Sequence, residues 1–114
     1  MKLITAVVPS SRLGPIMTAL RLFGVRGLTL SWVYVVDAGD DRVEIYRGVS
    51  HRAMPDAQVR LDVLAPDDDT HDLVHVIIRA AVMTSTRTSP AGVWVTPVDE
   101  VVRICNGEQG LAAL

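Results

Sequence analysis

Residues 3–36, "LITAVVPSSRLGPIMTALRLFGVRGLTLSWVYVV", change hydrophobic period twice, and those changes decide the fold. From Leu3 to Val8 the side chains alternate. Leu3, Thr5 and Val7 point one way, and Ile4, Ala6 and Val8 point the other. Both sets are largely apolar, which predicts a strand covered on both faces. The period then lengthens, and Leu13, Ile16, Met17, Leu20 and Phe23 fall on one helical stripe. Ser10 or Ser11 can cap this helix, Pro15 is tolerable only in its first turn, and Gly24 suits its C-terminal turn. Alternation returns at Leu28, Leu30, Trp32, Tyr34 and Val36, which share a face of a second strand. The stretch is one β-α-β unit.

A second such unit lies downstream. Val59 to Ala65 reads as a strand with Val59, Leu61 and Val63 on one face. "PDDDTHDLVHVIIRAAVM", residues 66–83, reads as a helix. Its early Asp residues suit the positive end of the helix dipole, and Leu73, Val74, Ile77, Ala80 and Ala81 form its buried stripe. "GVWVTPV", residues 92–98, is the last full strand; "DEVVRIC", residues 99–105, fits strand or helix, and residues 106–114 form a tail. The order β-α-β, long loop, β-α-β is an internal duplication. It predicts a single α+β domain over 1–114, a ferredoxin-like double β-α-β sandwich. Helices would cover one sheet face, so the other is expected to be buried against further copies in a cyclic oligomer.

Between the halves, Asp37 to Asp56 is dense in charge, Gly and Pro, and is far longer than an ordinary connection. A long exposed hairpin excursion over about 37–58 is expected there, with partner docking as its role. Composition narrows the rest. A chain of 114 residues holds one core, and 49% apolar content in so short a chain points to self-association. No run approaches the ~18 apolar residues of a membrane span. The N-terminus reads as a strand rather than a signal peptide. Cys105 is the only cysteine, which fits a reducing cytoplasm, and it reads as a small buried residue. The net charge of −2 carries no nucleic-acid footprint. Lys2 is the only lysine, so any phosphate contact must use Arg or main-chain N–H groups.

"TSTRTSPAGVWV", residues 84–95, has the hydroxyl-rich, bendable look of an anion-cradling loop. It carries one glycine, no lysine, and a proline without an N–H. His71 and His75 stand four apart on the second helix, a metal-compatible spacing, but Arg79 follows on the same face and solvated polar residues are the simpler reading.

"MKLITAVV", "LFGVRGLTL", "EIYRGV", "PDD" and "VVRICNGEQG" occur in this order, and together they resemble the PII signal-transduction family over nearly the whole chain. The resemblance implies a homotrimer with clefts between subunits that bind ATP or ADP, often with 2-oxoglutarate and magnesium. It also implies a long loop that controls a transporter or an enzyme of nitrogen metabolism, with no catalysis. Matched to the family, Val7, Gly27, Leu28, Thr29, Asp62, Val63 and Leu64 take the adenine side of the cleft. Arg87, Ser89, Gly92 and Arg103 take the phosphate side. Arg42, Glu44, Tyr46, Arg47, Gly48 and His51 form the partner-docking loop.

The departures from the family are chemical. Its phosphate loop ends Gly-Asp-Gly-Lys, where this chain has Ser89-Pro90-Ala91-Gly92. One of two cationic positions near the chain end is Cys105, and only Arg103 keeps its charge. Losing two or three charge-assisted hydrogen bonds at ~1.5–3 kcal/mol each predicts ATP binding weakened by orders of magnitude. AMP, ADP, a cyclic nucleotide such as cAMP, or a small anion fits the remaining cations better. The family's loop Gln, its keto-acid Lys and its phosphate-reaching Arg are here Gly39, Gln58 and Ala38, so 2-oxoglutarate sensing of the usual kind is not expected. His51 stands where the family's modifiable tyrosine does, which removes uridylylation, and Ser50 is its neighbouring hydroxyl. The alternatives are a degenerate trimer that binds no nucleotide and acts as an interaction module, and a CutA-like metal-tolerance trimer. An acylphosphatase reading has Arg12 available, but its only Asn is Asn106 in the tail.

Overall fold

The alternating start of the chain forms β1 (Lys2–Pro9) in a computed structural model that describes residues 1–36, 43–46, 49–52, 57–82 and 92–114, with backbone alone at 43–46 and 49–52. A 3₁₀ turn at Ser10–Arg12 leads into α1 (Leu13–Phe23), followed by β2 (Thr29–Tyr34), β3 (Val43–Tyr46) and β4 (Val49–Arg52). Then come β5 (Ala57–Ala65), α2 (Asp67–Ala81), β6 (Gly92–Pro97) and a closing 3₁₀ turn at Gly110–Ala113. Four strands make one sheet in the order β2-β5-β1-β6, every neighbour antiparallel. β1 and β2 are therefore parallel and α1 crosses between them, so the duplicated β-α-β units interleave as in a ferredoxin-like sandwich. β3 and β4 pair with each other in a separate antiparallel ribbon within the long loop. β2 ends at Tyr34 and β5 begins at Ala57, so the loop runs over 35–56, displaced by two residues from the expected 37–58.

Register decides which residues form the core. Ile4 sits beside Val63, Ala6 beside Leu61 and Val8 beside Val59, all on the face where α1 and α2 lie. Ile16 and Leu20 of α1, and Leu73 and Ile77 of α2, close over them. Leu13, Val74, Ala80 and Ala81 flank the cluster, as their helical spacing predicts. Phe23 does not join it and is 39% exposed. It is the last residue of α1, where Gly24 takes a left-handed φ of 112° and turns the chain away. Neither Ser10 nor Ser11 caps α1, because the 3₁₀ turn moves the N-cap to Arg12.

The β2 residues expected to share a face do so, since Leu30, Trp32 and Tyr34 lie beside Leu61, Val59 and Ala57. They are nonetheless exposed, Trp32 at 71%, because β2 is an edge strand and the helix pair centres over β1 and β5. Residues 99–105 are neither full strand nor helix. A single bridge, Val102 to Gln109, closes a small hairpin there.

The helix pair is tied at one end by a charge. Arg12 donates from Nε at 3.2 Å and from Nη2 at 2.7 Å to the carbonyl oxygen of Ala80, in the last turn of α2. A cation there satisfies an otherwise free carbonyl and faces the negative end of the helix dipole. Arg12→Ala should lower the unfolding free energy by about 1–2 kcal/mol, measured by urea titration at fixed protein concentration. Arg12→Lys should recover only part of it, since an ammonium lacks the two-pronged donor edge. At the other end of α2, Asp67 accepts from the terminal ammonium of Met1 at 2.8 Å, which holds its carboxyl below the usual range.

Candidate functional site

The sheet face without helices carries most of the residues singled out in the sequence. On β1, Thr5 lies between Asp62 of β5 and Trp94 of β6, and Val7 lies between Arg60 and Gly92. Leu3 lies between Leu64 and Thr96, and Thr29 of β2 stands beside Asp62. Val7, Thr29, Asp62, Leu64 and Gly92 thus share one surface by strand alternation. Val63 does not. It points to the opposite face and is 1% exposed within the core, so its side chain is unavailable to a ligand. Leu28 packs against the core edge, while Gly27 is exposed in the turn before β2. Arg103 lies on the C-terminal hairpin. Arg87 and Ser89 fall outside the described residues, as do Arg42, Arg47 and Gly48 and the side chains of Glu44, Tyr46, Ser50 and His51.

This surface is more polar than apolar alternation suggests, because β5 contributes Gln58, Arg60 and Asp62 to it. The centre is a connected network. Thr5 Oγ1 donates to Asp62 Oδ1, and Arg60 Nε donates to Asp62 Oδ2 at 3.2 Å. The Arg60 guanidinium stands 6.0 Å from the centre of the Trp94 ring. Thr5 is buried although no helix lies over it. Both oxygens of Asp62 are therefore occupied from within the chain. Sequence reading singled out Asp62 without its partners Thr5, Arg60 and Trp94. The signal was present, since residues 60 and 62 must share a strand face.

Asp62→Ala should cost about 1–3 kcal/mol, since it strands the buried Thr5 hydroxyl and leaves Arg60 without its anion. Adding Thr5→Val should cost less than the two single changes together, the non-additivity expected of bonded partners in a double-mutant cycle.

The C-terminal hairpin is built by its glycines and main-chain bonds. Arg103 N–H donates to Glu108 O at 2.8 Å, Gly107 N–H to Arg103 O at 2.8 Å, and Gly110 N–H to Val101 O at 3.0 Å. Asn106 Oδ1 accepts from Glu108 N–H at 3.0 Å, an Asx turn at the tip. Gly107 and Gly110 hold φ of 69° and 65°, where side chains are strained. The Arg103 guanidinium donates from Nη2 to Ala113 O at 3.0 Å, while its Nε is buried with no partner among the described residues. Cys105, expected to be buried, is exposed because it lies on the turn rather than on a strand.

His71 and His75 stack edge to face at 4.5 Å on the exposed side of α2. Among the described residues no group of three or more His, Cys, Asp or Glu is placed to hold a metal ion. Nor is any described helix long and apolar enough to cross a membrane.

An interleaved double β-α-β sandwich, with a ribbon-bearing loop between its halves and a clustered surface opposite its helices, defines a small α+β domain of the ferredoxin-like class. The family model of nitrogen regulatory protein P-II matches residues 1–108, and the chain belongs to that family of regulatory, non-catalytic proteins. It is 28% identical to nitrogen regulatory protein GlnK of Escherichia coli (strain K12) over 114 residues, all of both chains. It is 30% identical to nitrogen regulatory protein P-II of Azospirillum brasilense over 110 residues, 96% of each. The crystal structure of Arabidopsis thaliana PII bound to citrate shares the fold, with a TM-score of 0.74 at 23% identity, covering 99% of this chain and 91% of that one.

Proposed function

We propose that this chain is an effector-reading regulator. Three copies close around their helix-free faces, a small anionic effector sits in each cleft between copies, and the segment between β2 and β5 controls a partner transporter or metabolic enzyme in the cytoplasm. The observation that carries this reading is the gathering of Val7, Thr29, Asp62, Leu64 and Gly92 on one helix-free surface, with Trp94 still 45% exposed there. Aromatic residues are enriched in association surfaces, and this one lies among the gathered residues, beside Thr5. The effector class follows from charge. Arg103 and Arg87 are the cations that the family match puts on the phosphate side, Lys is absent from the loop, and ADP, AMP or cAMP makes a smaller demand than ATP with magnesium.

A second reading, an interaction trimer that binds no nucleotide, draws on Asp62, whose two oxygens are already satisfied by Thr5 and Arg60. Light scattering of the purified chain, followed by calorimetric titration with ADP, AMP, cAMP and ATP, separates the two. The effector reading expects a three-chain mass and saturable heat with at least one of the less charged nucleotides. A three-chain mass without heat or thermal shift from any of them supports the interaction trimer. A folded single chain at micromolar concentration removes both.

A further inference from the structure

The two described arginines that donate to main-chain carbonyls of other segments do so in different ways. Arg12 gives both Nε and Nη2, the side-on edge of its guanidinium, to one carbonyl oxygen. Arg103 gives Nη2 to Ala113 O at 3.0 Å, and its Nε stays buried without an acceptor among the described residues. Nε and Nη2 form the edge that grips a carboxylate or phosphate with two parallel bonds. In Arg103 one prong is filled by the chain's own tail, and the other is shut away from water with nothing to bond among the described residues. A buried unpaired donor is unfavourable, and an oxyanion on that edge would relieve it. The tail reaches Ala113 only because Gly110, at a φ of 65°, turns the chain back after its N–H bonds Val101 O.

We propose that the Gly110–Ala113 turn is an intramolecular latch on Arg103. It competes with an oxyanion for the Nε/Nη2 edge, so anion capture by this arginine and release of the tail are one coupled event. This rests on the reading that Arg103 faces the effector, and it adds a regulatory element that the reading lacks. A bidentate oxyanion must displace the Ala113 carbonyl, so the affinity of the intact chain is lower than that of a chain whose tail is free. The tail residues in turn lose protection when the anion binds, as linkage requires.

The test compares the intact chain with Gly110→Val, which strains the turn and leaves Arg103 untouched. ADP and inorganic pyrophosphate are the probes, titrated by calorimetry, with amide exchange of residues 111–114 read in parallel. The latch expects Gly110→Val to bind ADP or pyrophosphate about ten- to a hundredfold more tightly, the scale of one competing charged hydrogen bond. It also expects faster tail exchange in the intact chain once either probe is bound. Binding by Gly110→Val where the intact chain shows none supports it equally. Equal affinity in both chains, with tail exchange unmoved by the probe, overturns the latch and leaves the effector reading standing. No binding of either probe by either chain overturns the latch, while the effector reading falls only if AMP and cAMP also give no heat. Arg103→Gln checks the site, because it should abolish the difference between intact and Gly110→Val chains. A difference that survives it also overturns the latch.

Discussion

Leu61→Ala should lower the unfolding free energy by about 2–5 kcal/mol, the cost of emptying a fully buried leucine site. Leu61 is 0% exposed on β5, between Ala6 of β1 and Leu30 of β2. Both neighbours are fixed by main-chain pairing, and Ala6 is too small to fill the gap. Relaxation of the cavity is therefore limited and the effect belongs to the upper part of that range. Leu22→Ala is the contrast. Leu22 is 84% exposed on the outer side of α1, and its truncation should change stability by less than about 0.5 kcal/mol. Urea titrations of both variants at several protein concentrations would separate this loss from any change in association. A loss below about 1 kcal/mol for Leu61→Ala would contradict the core assignment.

Trp94→Asp should break the assembly while leaving the chain folded. The ring lies on the face away from α1 and α2, beside Thr5 and within 6.0 Å of the Arg60 guanidinium, so the core cluster does not depend on it. In the proposed trimer the same ring would be buried between copies. There, loss of an aromatic anchor costs at least about 2 kcal/mol, and a buried carboxylate adds its desolvation and its repulsion of Asp62. Association should weaken by at least about a hundredfold. Light scattering should then report single chains at micromolar concentration, with far-ultraviolet circular dichroism unchanged. Leu22→Asp, on the helix side, should leave the mass as it was. An assembly that survives Trp94→Asp has its seam elsewhere.

The fold was legible wherever periodicity was clean. Alternation through Leu3–Val8 and Val59–Ala65, and the helical stripes through Ile16 and Leu20 and through Leu73 and Ile77, correspond to β1, β5, α1 and α2. Periodicity assigns a residue to a face but not to a position within a sheet. Leu30, Trp32 and Tyr34 look as buried in the sequence as Ile4 and Ala6, yet they lie on an edge strand. The hairpin after β6 was ambiguous because its order comes from Gly107, Gly110 and Asn106, a turn chemistry without a hydrophobic period. At the candidate site, family resemblance singled out Asp62 and Arg103 one at a time. What each residue already bonds to is set by tertiary contact, Thr5 and Arg60 for the first and Ala113 for the second.

The sheet order has a consequence for how the chain must fold. The strand supplied by the second half, β5, is wedged between the two strands of the first, so neither half of the duplication is a self-sufficient unit. Within the four-stranded sheet each strand pairs only with strands of the other half, so the search that unites them spans the intervening loop before any of that pairing repays it.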